Sequence, residues 1–154
     1  MAEFLSFGEI MLRLKTPSHE RFFQSPTFEA TFGGGEANVA VALSNFGLDA
    51  GFVSALPDND IGENAIMELR KFGVDTAHVS RSGERVGIYF LETGSNQRPS
   101  KVVYDRASSS ICNAGMDEFD WPTIFKGVKW LHITGITPAL SPSAAELSMA
   151  CVKA

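Results

Sequence analysis

Gly33-Gly34-Gly35-Glu36-Ala37-Asn38-Val39-Ala40 is the stretch whose reading organises the chain. Just upstream, Phe28, Ala30 and Phe32 alternate with Glu29 and Thr31, the period of a strand with one apolar face. The three glycines break that strand. Glycine permits positive φ and lets the backbone come close to a ligand. Downstream, Val39, Leu43 and Phe46 recur at helical spacing, so Glu36 to Phe46 is expected to be a helix. Ala37, Ala40, Val41 and Ala42 make it apolar nearly all round, which predicts burial. The first N–H groups of such a helix have no intrahelical partner, so polar oxygens of a ligand can dock at the turn. The spacing is neither that of a dinucleotide-binding fingerprint nor that of a P-loop, since no Lys-Ser/Thr pair follows. Taken by itself, a plain strand-to-helix turn accounts for these residues about equally well.

Working outward, Phe4 to Gly8 reads as a first buried strand, and the apolar run Ile10-Met11-Leu12 extends it into a second piece. Gly47 is placed to end the first helix. Gly51 to Leu56 is a short buried strand. Asp60 is placed to cap a second helix, with Ile61, Ala65, Leu69 and Phe72 as its apolar stripe and Gly73 as its stop. Val79-Ser80-Arg81 is a further short strand, and Val86 to Leu91 with Lys101 to Arg106 makes a hairpin. Trp130 to Gly135 is another buried strand, and Pro142 opens a last helix that runs on without a stop signal. Strands alternating with helices predict an α/β fold with a parallel, Rossmann-like central sheet flanked by helices. Segments 10–32 and 86–106 interrupt that rhythm and are expected to form a small β-sheet lid at the strand ends, where open α/β folds bind ligands.

The bulk properties narrow the function. The 154 residues are 44% apolar and 20% charged, a globular composition for one domain. Net charge is −5 and no basic run exceeds Arg70-Lys71, so no nucleic-acid partner is expected. No stretch approaches the roughly 18 apolar residues that span a bilayer, and the first residues do not read as a signal peptide. A cytoplasmic protein is expected, with Cys112 and Cys151 read as reduced thiols; a disulfide between them is the weaker reading.

The glycine turn, together with Gly47 and Asp58-Asn59-Asp60-Ile61-Gly62, resembles the first signature of the ribokinase-like (PfkB) carbohydrate kinases. The resemblance runs through the whole chain in order, from the Phe7-Gly8-Glu9 opening to the Leu131-His132-Ile133-Thr134-Gly135-Ile136 strand. Glu36, where many members carry a small residue or Pro, and Pro57, where many carry Gly, are similar to the 2-keto-3-deoxygluconate kinase branch. The resemblance implies that residues 1–154 are the amino-terminal part of one ribokinase-like domain. It also implies phosphorylation of a sugar acid at its primary hydroxyl, with ATP and Mg²⁺ as cofactors. Phe28, Ala30 and Phe32 form one apolar strand face and Val86, Ile88 and Phe90 another, which a small sheet cannot bury by itself, so a homodimer through the lid is expected. A fructokinase, another ribokinase-like kinase and a non-catalytic sugar-binding or dimerising fragment are the alternatives.

The branch has a physical argument too. Ribokinases carry an Asp shortly after the first strand that binds sugar hydroxyls, and Gly8 to Arg13 contains none. Tyr104 and Arg106 share a strand face, and the guanidinium fork matches a carboxylate in two parallel hydrogen bonds. Tyr89 on the facing strand is expected to stack on or hydrogen-bond the same sugar. Edge solvation for Arg106 and sheet packing for the tyrosines are the plain alternatives. The expected substrate-binding residues are therefore Gly34, Gly35, Asn38, Tyr89, Tyr104, Arg106 and Ile136. Asp58 and Asp60 are expected to cap and solvate rather than bind metal. His132 is expected to pack, and Ser108-Ser109-Ser110 to form a turn. The family's catalytic Asp lies in a Gly-Ala-Gly-Asp-type loop that does not occur in these residues, so no catalytic residue is assigned and the base is expected beyond Ala154.

Overall fold

The computed structural model describes residues 2–154. Strand β1 (Phe4–Phe7) leads directly into β2 (Met11–Lys15), and β3 (Glu29–Gly33) ends at the glycine turn. There follow α1 (Gly35–Asn45), β4 (Ala50–Leu56), α2 (Asp60–Lys71), β5 (Val79–Arg81) and the hairpin β6 (Ile88–Glu92) and β7 (Lys101–Asp105). The chain continues through the short helices α3 (Ser110–Asn113) and α4 (Trp121–Ile124), strand β8 (Trp130–His132) and α5 (Pro142–Lys153).

Two four-stranded sheets result, one ordered β5-β4-β1-β8 and the other β3-β2-β6-β7. The first is parallel throughout, as the strand–helix alternation predicts. All seven residues of β4 are buried, the pattern of a strand covered on both faces. Leu5, Phe7, Val53 and Ala55 pack with Ile111, Trp121, Ile124 and Leu147 from α3, α4 and α5. Phe52 and Leu56 pack on the opposite side with Ala37 and Ala40 of α1 and Ala65, Ile66 and Leu69 of α2. On the first side Phe7 meets Trp121 edge-on at 5.7 Å, and Trp121 stacks on Phe119 at 5.2 Å.

Several local expectations are corrected. Helix α1 is not buried all round: Ala42 is exposed and Phe46 is 81% exposed, because one sheet face covers only one stripe of a helix. Asn59 rather than Asp60 caps α2, its Oδ1 accepting from the N–H groups of Ile61 and Gly62 at 3.1 and 3.0 Å. Asp60 sits one residue further on, in the first turn, where its charge still favours the helix dipole. The buried stripe of α2 is Gly62, Ala65, Ile66 and Leu69, whereas Ile61 and Phe72 are exposed. Strand β8 stops at His132, three residues short of the expected end. Gly47 and Gly73 adopt the positive φ expected of helix stops, whereas none of Gly33, Gly34 and Gly35 does.

The second sheet is the expected lid, built from two distant segments. Its hairpins β2–β3 and β6–β7 are antiparallel, and they join through the parallel pair β2–β6. Register puts Leu12 beside Phe32 and Ile88, and Leu14 beside Ala30 and Phe90, on one apolar face. The inner end of that face is already covered, since Val86 is buried and Leu12 and Phe32 pack against the α1–α2 side of the core. At the outer end Phe22, Phe23, Phe90 and Val103 border a wholly apolar depression. The loops there are tied by Arg98, which donates to Glu92 and to the His19 carbonyl, while the Phe22 N–H donates to Glu92.

Candidate functional site

The lid's other face carries Met11, Gly33, Tyr89, Val102 and Tyr104, with Arg106 one residue past the end of β7. It overhangs the start of α1. Between them lies a cleft of about 200 Å³. Gly34, Gly35, Asn38, Tyr89, Tyr104, Arg106 and Ile136 all line it, joined by Glu9, Met11, Gly33, Glu36 and Val102. Every residue singled out from the sequence as substrate-binding is thus brought to one place, from four separate stretches of chain.

The glycine turn works by close approach rather than by left-handed backbone. Gly34 is the N-cap of α1 in an extended conformation, φ −171°. A Cβ there would stand 2.0 Å from the Glu9 carbonyl oxygen, so no other residue fits without displacing the backbone. Next to Gly35 there is open space. The cap has no side chain, and the first internal bond is from Asn38 N–H to the Gly34 carbonyl, so the N–H groups of the first turn remain available to the cleft.

Tyr89 and Tyr104 are register partners with ring centroids 5.9 Å apart, and the Arg106 guanidinium lies 5.5 Å from the Tyr104 ring. Arg106 is neither a solvated edge charge nor a free anion hook. Its Nε and Nη2 both donate to Oε2 of Glu9, the former at 2.8 Å, and Glu9 is 3% exposed. The Ser109 hydroxyl donates to the other oxygen of Glu9 at 2.6 Å. Across the cleft Glu36 is 2% exposed, and its Oε1 accepts from the hydroxyls of Thr134 and Thr137. Gly8 makes room for it: a Cβ there would meet the Glu36 carboxyl carbon at 2.4 Å.

Glu9 and Glu36 were missed as site residues from sequence. Glu9 was visible as a carboxylate inside the apolar run Phe7 to Leu12, and Glu36 as one between the three glycines and the apolar start of α1. The remaining candidates keep modest roles. Asp58 pairs with Arg81 at 3.2 Å, His132 is half-buried on an edge strand, and Ser110 opens α3. No cluster of three or more His, Cys, Asp or Glu of metal-holding geometry occurs among the described residues. Cys112 and Cys151 are free and buried, and burial pushes the Cys151 thiol up to about 12. Among the described residues no helix is long and apolar enough to cross a membrane.

The profile of a family described as "pfkB family carbohydrate kinase" matches residues 1–154. The chain belongs to the pfkB family of carbohydrate kinases. A 2-dehydro-3-deoxygalactonokinase of Haloferax volcanii is 39% identical over 145 residues, covering 94% of this chain and 45% of that protein. A 2-dehydro-3-deoxygluconokinase of Thermoproteus tenax is 32% identical, with the same two coverages. The crystal structure of a 2-dehydro-3-deoxygluconokinase from Thermotoga maritima superposes with a TM-score of 0.97 at 51% identity, over 99% of this chain and 47% of that one. The ribokinase-like fold of the family is therefore the fold of this chain, and the chain spans about 45% of the length of these curated relatives.

Proposed function

We propose that these residues form the acceptor-sugar site and lid of an ATP-dependent kinase that phosphorylates a 2-keto-3-deoxy sugar acid at its primary hydroxyl. The observation that carries the proposal is the convergence of the bare α1 terminus, the Tyr89–Tyr104 pair and Arg106 on one cleft. Backbone N–H groups and the Glu36 carboxylate suit sugar hydroxyls, the tyrosine rings suit the carbon chain, and a guanidinium suits a carboxylate. The names of the relatives support a sugar acid over a neutral sugar, and both the gluconate and galactonate epimers occur among them.

ATP, Mg²⁺ and the catalytic Asp belong, in this proposal, to the rest of the protein, since phosphoryl transfer needs a base and charge stabilisation that this cleft does not assemble. Residues 1–154 alone are then inactive. The outer apolar end of the lid, around Phe28 and Phe90, is proposed to pair with that of a second copy. The test is a coupled kinase assay of the full-length protein with ATP and three acceptors: 2-keto-3-deoxygluconate, its galactonate epimer and fructose. Preference for either acid by tenfold or more in kcat/KM is expected. Equal or better use of fructose would favour the fructokinase alternative.

A further inference from the structure

Glu9 touches both walls of the cleft. Its backbone carbonyl presses on Gly34, the N-cap of α1, leaving no room for a Cβ. Its side chain receives Nε and Nη2 of Arg106 on one oxygen and the Ser109 hydroxyl on the other. The lid leaves room for this arrangement. A Cβ on Gly87 would stand 2.6 Å from Glu9 Oε1 and 3.1 Å from Arg106 Cβ.

The way the guanidinium is held matters chemically. It has five N–H donors in a rigid plane. Glu9 takes the side edge, made of Nε–H and the neighbouring Nη2–H. The end edge, made of Nη1 and the outer hydrogen of Nη2, is unclaimed among the described residues, and Arg106 lines the cleft. Like the side edge, that end edge can grip a carboxylate in two parallel bonds. A long side chain left to itself must lose rotamer freedom when a ligand arrives, and a side chain already fixed does not.

We infer that Glu9 is a positioning residue for substrate recognition: it fixes Arg106 by one edge so that the other edge is presented to the carboxylate of a sugar acid. The inference rests on the sugar-acid reading above. It also accounts for a buried carboxylate in a site meant for an anion. Oε2 of Glu9 is committed to the guanidinium and Oε1 to Ser109, so neither is turned on the incoming substrate.

The experiment compares kcat/KM for 2-keto-3-deoxygluconate and for fructose in the full-length protein. The variants are Glu9→Ala, Glu9→Gln, Arg106→Ala and the Glu9→Ala/Arg106→Ala double variant. Glu9→Ala is expected to lower the acid-to-ketose ratio roughly tenfold, through KM for the acid rather than through kcat. Glu9→Gln, which keeps the volume and an acceptor but not the charge, should fall between it and the parent. On the Arg106→Ala background, Glu9→Ala should leave the ratio where Arg106→Ala put it, because the two residues act as a unit. Should Glu9→Ala fail to fold, Glu9→Gln with and without Arg106→Ala carries the same cycle. A Glu9 variant that lowers both substrates equally, or whose effect on the ratio persists without Arg106, overturns the inference. An unchanged ratio in Arg106→Ala overturns Arg106 as the partner of the carboxylate, and this inference with it, whereas the sugar-acid reading itself falls only if the parent uses fructose as well as either acid.

Discussion

Tyr89 and Tyr104 stand directly opposite each other on adjacent lid strands, their rings 5.9 Å apart and inclined by 38°, with the Arg106 guanidinium 5.5 Å from the Tyr104 ring. Arg106→Lys keeps a charge for Glu9 but loses the planar fork and much of its stacking on Tyr104. A bidentate guanidinium–carboxylate pair of the kind proposed contributes about 1.5–3 kcal/mol. The lysine variant of the full-length protein should therefore lose roughly three- to tenfold in kcat/KM for the sugar acid and retain its KM for ATP. Steady-state kinetics with each substrate varied in turn checks this.

Gly34 and Gly35 are adjacent yet should respond in opposite ways. A Cβ at Gly34 meets the Glu9 carbonyl at 2.0 Å, so Gly34→Ala must move the start of α1 and should cost about 1–3 kcal/mol of stability. Gly35→Ala adds its methyl to open space at a helical position and should leave stability unchanged or slightly raised. Denaturant unfolding of the two variants separates the outcomes.

Glu118 fastens β5 to the segment before α4, accepting from Ser80, Ser82 and the Gly115 N–H. Burial acts to raise its pKa, but those three hydrogen bonds outweigh burial and hold it below the ordinary 4.5. A carboxyl lowered on folding stabilises the fold above its unfolded pKa, and that stabilisation is lost as pH falls through the folded value. Glu118→Gln should therefore be less stable at pH 7, by about 1 kcal/mol since the group is only half-buried and partly screened. The gap should close as the pH is lowered below 4.5. Melting curves of both forms across that range give the answer.

At the outer end of the lid, Phe28 packs edge-on against both Phe23 and Phe90, each at 5.9 Å, and Phe23 is 82% exposed. If two lids meet there, Phe28→Lys places a charge in the contact. Light scattering on the full-length protein should then show a dimer for the parent and a shift of at least tenfold toward monomer for the variant. A parent that is monomeric at micromolar concentration excludes the contact.

What could be read ahead of the structure follows the range of the information. Strand and helix periods, the stops at Gly47 and Gly73 and the pairing of Val86–Leu91 with Lys101–Arg106 are local patterns. The cleft residues were accessible because a family resemblance supplied their long-range meeting. The roles of Glu9 and Glu36 were not, for their partners lie 97 to 101 residues away and no window spans that distance. Capping by Asn59 rather than Asp60 turned on where the chain leaves its extended conformation, since both residue types cap equally well. The exposure of Phe46 escaped notice because an apolar pattern does not say how many of its sides a neighbour covers.

The lid's central pairing, β2 with β6, joins strands separated by about 70 residues of chain. At a synthesis rate of roughly 5–20 residues per second, β2 leaves the ribosome about 4–15 seconds before its partner exists. The β2–β3 hairpin forms within about 10 microseconds. During nascent-chain growth it therefore waits with the β2 edge unpaired: α1 and α2, which emerge first, can cover Leu12 and Phe32, but the edge itself stays open until β6 is made. Yield in the cell should then depend on chaperone holding during that interval, even where the finished protein is stable.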